Sequence, residues 1–334
     1  MARLRVGIDV SVLRLTQAGT ARYLRSLLEA FPKDEVAVVP YGFGGSSRWL
    51  VPVRDLGWYP AVLPLRARRD GVQVLHCPTM RAPLRSPVPL VVTIHDLAVL
   101  RHPEAFNRWT RAYSRPALKR VVRAASRVIV VSEFTRRELA AYVDVPDEKV
   151  RVIPDAVGAP FVAEGAAAEG DYVLAVGTLE PRKNLPRLVE GFERAGLNGV
   201  RLLVAGMRGW GDVSVAGNDV RWLGFVPDDE LARLYRGARC VAYVSTYEGF
   251  GLPVLEAMAC GTPVVAGRNE AAEEVAGGAA VLVDPFDPDA IAAGLAEAVD
   301  RREELRALGL ERAKAFDWGE VARATVEVYR EAAA

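Results

Sequence analysis

Short apolar runs alternate with stretches of helical periodicity along almost the whole chain, and that alternation limits the fold more than any other feature. Val72-Gln73-Val74-Leu75-His76 and Pro89-Leu90-Val91-Val92-Thr93-Ile94 are rich in β-branched residues. Such runs suit the inner strands of a parallel sheet covered on both faces. Each ends in a polar cluster, His76-Cys77-Pro78-Thr79 and His95-Asp96. Leu4 to Val10 reads as a first strand. After the loop Gln17-Ala18-Gly19-Thr20, Tyr23, Leu24, Leu27 and Leu28 fall at helical spacing. Further strands are predicted over 35–40, 127–132 and 149–153, and helices over about 104–125 and 133–142. Residues 49–69 read as irregular, because Pro52, Pro60 and Pro64 interrupt any period.

A second βα series opens at Tyr172-Val173-Leu174-Ala175-Val176-Gly177. Helices are predicted over about 185–195 and 228–236, the latter capped by Asp228, and strands over 200–206, 221–223, 240–244, 263–266 and 280–283. The tail from Asp289 reads as helical. The tract Ala163-Glu164-Gly165-Ala166-Ala167-Ala168-Glu169-Gly170 reads as an interdomain linker. The chain has 334 residues, too many for one simple core. The expected architecture is α/β, with two Rossmann-like doubly wound domains facing a central cleft. They cover 1–160 and 171–316, and a C-terminal helix over 317–334 packs back on the first.

Composition excludes several classes. No apolar run approaches the roughly 20 residues that span a bilayer. The N-terminus lacks the apolar region and cleavage site of a signal peptide. Cys77, Cys240 and Cys260 are scattered without C-x-x-C spacing, against a disulfide framework or zinc site and for a reducing cytoplasm. The net charge of +1 hides an asymmetry: residues 1–160 hold 25 Lys+Arg against 14 Asp+Glu, and the remainder is acidic. A basic first half could meet an anionic acceptor or, through the arginines of the 104–125 helix, the inner face of a membrane as a peripheral contact. It could equally be a solvated arginine-rich surface. No nucleic-acid partner is expected.

The second half concentrates the candidate chemistry. Glu248-Gly249-Phe250-Gly251-Leu252-Pro253-Val254-Leu255-Glu256 follows a buried strand and opens a helix at Pro253, since proline tolerates a helix's first turn. Free N–H groups there favour phosphate. Glu248 falls on the loop and Glu256 in the first turn or so. The competing reading is a plain strand–helix turn with one solvated Glu and one placed by the helix dipole. Gly177-Thr178-Leu179-Glu180-Pro181-Arg182-Lys183-Asn184 lies between a strand end and a helix. Arg182 offers a fork and Lys183 a point charge to a phosphate. Phe225 and Val226 mark a strand end whose backbone could edge-bond a base. Glu256 could accept both hydrogen bonds of a ribose diol. Asp287-Pro288-Asp289 has the D-x-D form of a metal site, but it precedes a helix and reads as an N-cap at Asp287. His76 and His102 read as packed or solvated histidines.

This combination resembles the GT-B glycosyltransferases, specifically the retaining family 4 (glycosyl transferases group 1). The most specific mark is E-x7-E, here Glu248 to Glu256. Arg182 and Lys183 match the family's diphosphate-binding pair, and Gly19-Thr20-Ala21-Arg22-Tyr23 its N-terminal glycine loop. Thr93-Ile94-His95-Asp96-Leu97 and Arg101-His102-Pro103-Glu104-Ala105-Phe106 look like the mannosyl- or rhamnosyltransferase subset, and Val131 to Thr135 and Ile153 to Val157 also match. Two departures stand out. Thr178 replaces a frequent Arg, so one phosphate contact is missing, and Ala21 replaces a second glycine, which should stiffen the first loop.

The resemblance implies roles. Donor-binding residues would be Gly19, Thr20, Gly177, Thr178, Arg182, Lys183, Phe225, Val226, Glu248, Gly249, Phe250, Gly251, Leu252 and Glu256. Among them Glu256 would hold the ribose, Glu248 the sugar hydroxyls, and the Phe250 and Gly251 amides would lie near sugar and phosphates. Arg182 and Lys183 would stabilise the leaving diphosphate, His95 would touch the transferred sugar, and Asp96 would orient the acceptor or His95. Chemistry would fall to His95, Asp96, Arg182, Lys183 and Glu248. No metal or other cofactor is expected. The donor would be a GDP- or UDP-sugar such as GDP-mannose, and the acceptor a glycan, a lipid-linked sugar or a small molecule. Two other functions fit the same fold: a sugar-nucleotide 2-epimerase, and a non-catalytic nucleotide-sugar-binding subunit.

Overall fold

In the first of two parallel sheets, β1 (Leu4–Asp9), β2 (Val36–Tyr41), β3 (Val74–Cys77), β4 (Leu90–Ile94), β5 (Arg127–Val130) and β6 (Val150–Val152) lie in the order β2-β1-β3-β4-β5-β6. The computed structural model describes residues 3–15, 19–45, 50–103, 106, 108–209, 211, 213, 216–217 and 219–334. Every residue of β3 and β4 is buried, as a strand covered on both faces requires. The direction of strand addition reverses between β1 and β3.

The first unit comprises Met1–Asp155 together with Trp318–Ala334. The helix Gly19–Ala30 buries Ala21, Tyr23, Leu24 and Leu27. The helix Trp318–Ala333 completes the unit through Tyr329, which is fully buried. The Tyr329 hydroxyl lies 2.7 Å from His76 Nδ1, and His76 Nε2 lies 2.9 Å from the Thr93 hydroxyl. His76 is thus a satisfied core histidine, and burial pushes its pKa down to about 3. On the surface, Glu331 pairs with Arg127 and Arg151.

Residues 50–69 correct the sequence reading: they are helical. Leu50–Val53 leads into a wide π-type turn over Arg54–Val62 and then the helix Leu63–Arg69. Pro64 sits in the first turn of its helix, where an N–H would lack an intrahelical partner. Around Pro60 the chain widens, and the Leu63 N–H reaches back five residues to the Trp58 carbonyl. Trp58, Tyr59, Leu63 and Ala67 point into the core. The arginine-rich helix spans Arg108–Ala124, and residues 104, 105 and 107 lie outside the described ones.

The second unit is Ala156–Asp317. Its strands are β7 (Tyr172–Val176), β8 (Arg201–Ala205), β9 (Val220–Gly224), β10 (Cys240–Tyr243), β11 (Val264–Gly267) and β12 (Val281–Val283), ordered β12-β11-β10-β7-β8-β9 and all parallel. The reversal here falls between β7 and β10. The tract 163–170 belongs inside this unit rather than between domains. Arg236, on the helix Asp228–Gly237, donates to the carbonyls of Pro160, Val162 and Ala166, and the Ala168 N–H bonds Arg233. These bonds tie the tract to the helix as a strap, although most of its residues stay exposed. Pro227 holds that helix's cap position, with Asp228 as its first residue.

The tail is three helices, Pro288–Asp300, Arg302–Ala313 and Trp318–Ala333. The Asp287 carboxylate caps the first by accepting from the Asp289 N–H at 2.9 Å. Among the described residues no helix is long and apolar enough to cross a membrane.

Candidate functional site

In an open parallel sheet the natural binding position lies beyond the strand ends where strand order reverses. In the second unit this point lies between β7 and β10. The segment after β7 turns at Gly177 (φ 152°), forms a short 3-10 turn over Pro181–Lys183, and enters the helix Leu185–Arg194. Asn184 joins the two in the left-handed conformation (φ 59°), which asparagine tolerates better than most residues. Its side-chain amide donates to the carbonyls of Val244 and Pro285.

The segment after β10 is tied to the first. The Thr246 N–H and hydroxyl both donate to the Arg182 carbonyl, at 2.8 and 3.2 Å. Gly251 then turns at φ 121° into the helix Leu252–Ala259. A residue with a Cβ rarely takes that conformation.

These two loops bring Glu248 against both cations. One Glu248 oxygen accepts from Arg182 Nη1 at 2.8 Å, and the other from Lys183 Nζ at 2.6 Å. Arg182 also pairs with Glu180 at 2.6 Å. Lys183 donates to the Tyr243 hydroxyl at 2.9 Å and lies 4.7 Å from that ring's centre. Burial works to raise the Glu248 carboxyl, but the Arg182 guanidinium and the Lys183 ammonium overcome it and hold its pKa at about 2. Burial lowers the Lys183 ammonium, with Glu248 opposing. Glu248 is therefore ionised at neutral pH, between two basic side chains that each already have a carboxylate partner, beyond the ends of the parallel strands.

The other predicted residues of this unit are placed as follows. Glu256 falls in the second turn of its helix rather than the first, is 1% exposed, and accepts from the Tyr235 hydroxyl at 2.9 Å. Phe250 is buried edge-on against Phe316. Gly249 is buried beside it, Leu252 opens the helix half-buried, and Thr178 is half-buried on the β7 loop. Phe225 is exposed and Val226 buried, beyond the end of β9.

In the first unit, Gly19 and Thr20 begin a helix. His95 and Asp96 follow β4. His95 Nε2 lies 3.2 Å from the Pro78 carbonyl, and the ring meets Tyr23 edge-on at 4.6 Å. A carbonyl only accepts, so Nε2 carries the proton and Nδ1 is the acceptor. Burial pushes the His95 pKa down to about 4, although Asp96 and Pro78 pull upward. Asp96 accepts from the Ala98 N–H at 3.0 Å.

Sequence reasoning did not assign roles to Glu180, Asn184, Tyr235 or Tyr243. Asn184 alone had a local signal, a left-handed-tolerant residue just before Leu185-Pro186. Among the described residues no group of three or more His, Cys, Asp or Glu is placed to hold a metal ion.

Comparisons with known proteins agree along the whole chain. Residues 4–158 match the family profile Glycosyltransferase Family 4, and residues 161–315 match Glycosyl transferases group 1. O-antigen chain mannosyltransferase B of Escherichia coli is 32% identical over 265 residues, 72% of this chain and 70% of that protein. D-inositol 3-phosphate glycosyltransferase of Kineococcus radiotolerans is 32% identical over 295 residues, 73% of this chain and 66% of that protein. Among solved structures, sucrose-phosphate synthase from Thermosynechococcus elongatus superposes with a TM-score of 0.79 at 19% identity, covering 98% of both chains. HepE of Anabaena in complex with UDP gives a TM-score of 0.74 at 19% identity, covering 97% of this chain and 98% of that one.

Proposed function

The chain belongs to the glycosyltransferases of family 4, the glycosyl transferases group 1, and on that premise we propose that it moves a hexose from a nucleoside-diphosphate sugar to an acceptor hydroxyl, with retention at the anomeric carbon and without a metal ion. The observation that carries this is the Glu248 bridge across Arg182 and Lys183 at the β7/β10 reversal. Breaking the bond between anomeric carbon and phosphate oxygen leaves negative charge on the diphosphate. Fixed cations in a water-poor site stabilise that charge more than they stabilise the intact donor.

As the diphosphate arrives it competes with Glu248 for both cations. Each Glu248 oxygen that gives up a cation can accept from a sugar hydroxyl. Glu248 thus couples phosphate docking to sugar recognition. Glu256 is the proposed ribose ligand, with the Tyr235 hydroxyl fixing its carboxylate. At 1% exposure it meets a ribose only once the side chains over it turn aside. In the first unit, neutral His95 is the proposed contact to the transferred sugar, accepting at Nδ1. Asp96 is proposed to orient the acceptor. The acceptor hydroxyl's proton goes to the leaving phosphate, so no protein nucleophile is needed.

The donor is proposed as a GDP- or UDP-sugar. The mannosyltransferase relative favours GDP-mannose, and the UDP bound to HepE keeps uridine in view. Incubating the protein with UDP-, GDP-, ADP- and dTDP-sugars and following slow donor hydrolysis tests the reading. Release of nucleoside diphosphate supports transfer. An altered sugar on intact nucleotide replaces it with 2-epimerisation, and binding without turnover replaces it with a carrier subunit. Peripheral contact with an anionic membrane through exposed Arg111, Lys119, Arg120 and Arg123 is proposed with it. Failure to co-sediment with anionic vesicles removes that part alone.

A further inference from the structure

The first unit holds a cavity of about 380 Å³ that the donor chemistry does not use. It opens at the reversal of its own sheet, the carboxyl ends of β1 and β3. Asp9 and Ser11 come from the end of β1, Thr79 and Arg81 from the loop after β3, and Asp96 from the loop after β4. This is where an open parallel sheet binds ligands.

The polar wall is built and rigid. One Asp9 oxygen accepts from the N–H and the hydroxyl of Ser11, and the other from the Tyr59 hydroxyl at 2.9 Å. The Ser11 hydroxyl in turn accepts from the Phe43 N–H at 3.0 Å. Asp9 is 3% exposed and Arg54 5%, so neither is a loose surface charge. Val12, Met80, Val99, Phe106 and Ala117 line the same cavity with apolar side chains. A hydroxyl donates to a carboxylate and accepts from a guanidinium, and the C–H face of a sugar ring rests on apolar side chains.

Charge decides between a neutral and a phosphorylated ligand. Arg54 and Arg81 both line the cavity, and two bare guanidiniums would be a phosphate site. They are not bare. Asp55 sits behind the wall with a fully buried side chain, 3.0 Å from Arg54 Nε and 3.6 Å from Arg81 Nε. The carboxylates of Asp9 and Asp96 face the same space. Asp55 and Asp96 alone match the two guanidiniums, before Asp9 is counted, so an added phosphate dianion would find no surplus of positive charge.

Resting on the reading of the chain as a glycosyltransferase whose acceptor enters this unit, we infer that Asp55 sets the cavity's preference for neutral hydroxyl ligands over phosphorylated ones. Asp55 touches no substrate; it acts through the two arginines.

The test uses the full chain without donor, and two probes, methyl α-D-mannopyranoside and D-inositol 3-phosphate. Saturation-transfer NMR is expected to show glycoside contact in the wild type and its loss in Ala117→Trp, whose ring fills the cavity. If that variant does not melt cooperatively, Met80→Trp, at a half-exposed position, takes its place. The phosphorylated probe is expected to leave the wild-type melting temperature unchanged and to raise that of Asp55→Asn. That shift is read within one variant, with and without probe, so lowered stability does not blur it. An absent glycoside signal in the wild type, or one that persists in a folded cavity-filling variant, overturns the site. Equal response of wild type and Asp55→Asn to inositol phosphate overturns the role of Asp55. Glycoside binding by a protein that turns over no nucleotide sugar keeps the cavity and removes the transferase reading.

Discussion

Arg182 and Lys183 matter because each already has a carboxylate partner. In the proposed reaction their removal strips charge stabilisation from the leaving group, and it takes counterions from the buried Glu248. Arg182→Ala and Lys183→Ala are each expected to lower turnover by roughly 10²–10³-fold; donor-hydrolysis rates near wild type in both would sink the assignment. Asp155 offers a test independent of chemistry. It is 4% exposed, one of its oxygens has no hydrogen-bond partner, and burial pushes its pKa up to about 7. Its folded pKa lies above the unfolded value near 3.8, so its favourable contribution is complete below that pH and is lost as pH rises through 7. Asp155→Asn should therefore gain on wild type by about 1.4 kcal/mol per pH unit between roughly pH 4 and 7, then stay level. Paired thermal melts at several pH values check this, and a pH-independent difference refutes it. The main charges were legible in the sequence because Arg182, Lys183 and Glu248 sit at strand ends flanked by turn residues. Tyr243, Tyr235 and Glu180 were not, since only the neighbouring strand and helix give them a task.

Strands were easier to read than the segments between them. The β-branched runs of β3 and β4 announced burial on both faces. Residues 50–69 defeated the same reasoning: three prolines suggested breaks, yet two sit where helices tolerate them or begin, and the third is passed by a widened turn. The tract 163–170 misled by composition. Small residues serve a free linker and a hydrogen-bonded surface strap equally well, and Arg236, about 70 residues away, decides between them. One element-level contact fixes the position of the loop after β7. A Cβ at Gly206, φ 156°, would lie 1.9 Å from the Gly177 carbonyl oxygen. Gly206→Ala should push back the loop that carries Lys183, lower the melting temperature and reduce donor turnover together. Unchanged values of both would show that the loop yields freely.

Across the whole molecule the chain passes between the two units twice, at residues 155–156 and 317–318. The charge asymmetry and the two βα series were visible in the sequence. The exact crossing points were not, because they depend on which core each short segment joins. Phe316 and Trp318, two positions apart, belong to different units: Phe316 packs on Phe250, Trp318 on Tyr23. Deleting residues 318–334 removes Tyr329 from His76 and Phe31. Calorimetry of that truncation should show the first unit's transition lowered or lost and the second unit's kept; two unaltered transitions would contradict it.

The helix Trp318–Ala333 also sets an order of events during synthesis. The first unit emerges from the ribosome first but is finished last, after all 162 residues of the second unit have followed. Until then His76 waits without the tyrosine hydroxyl that meets its Nδ1. The nascent chain thus carries an incomplete first unit while the whole of the second is being made.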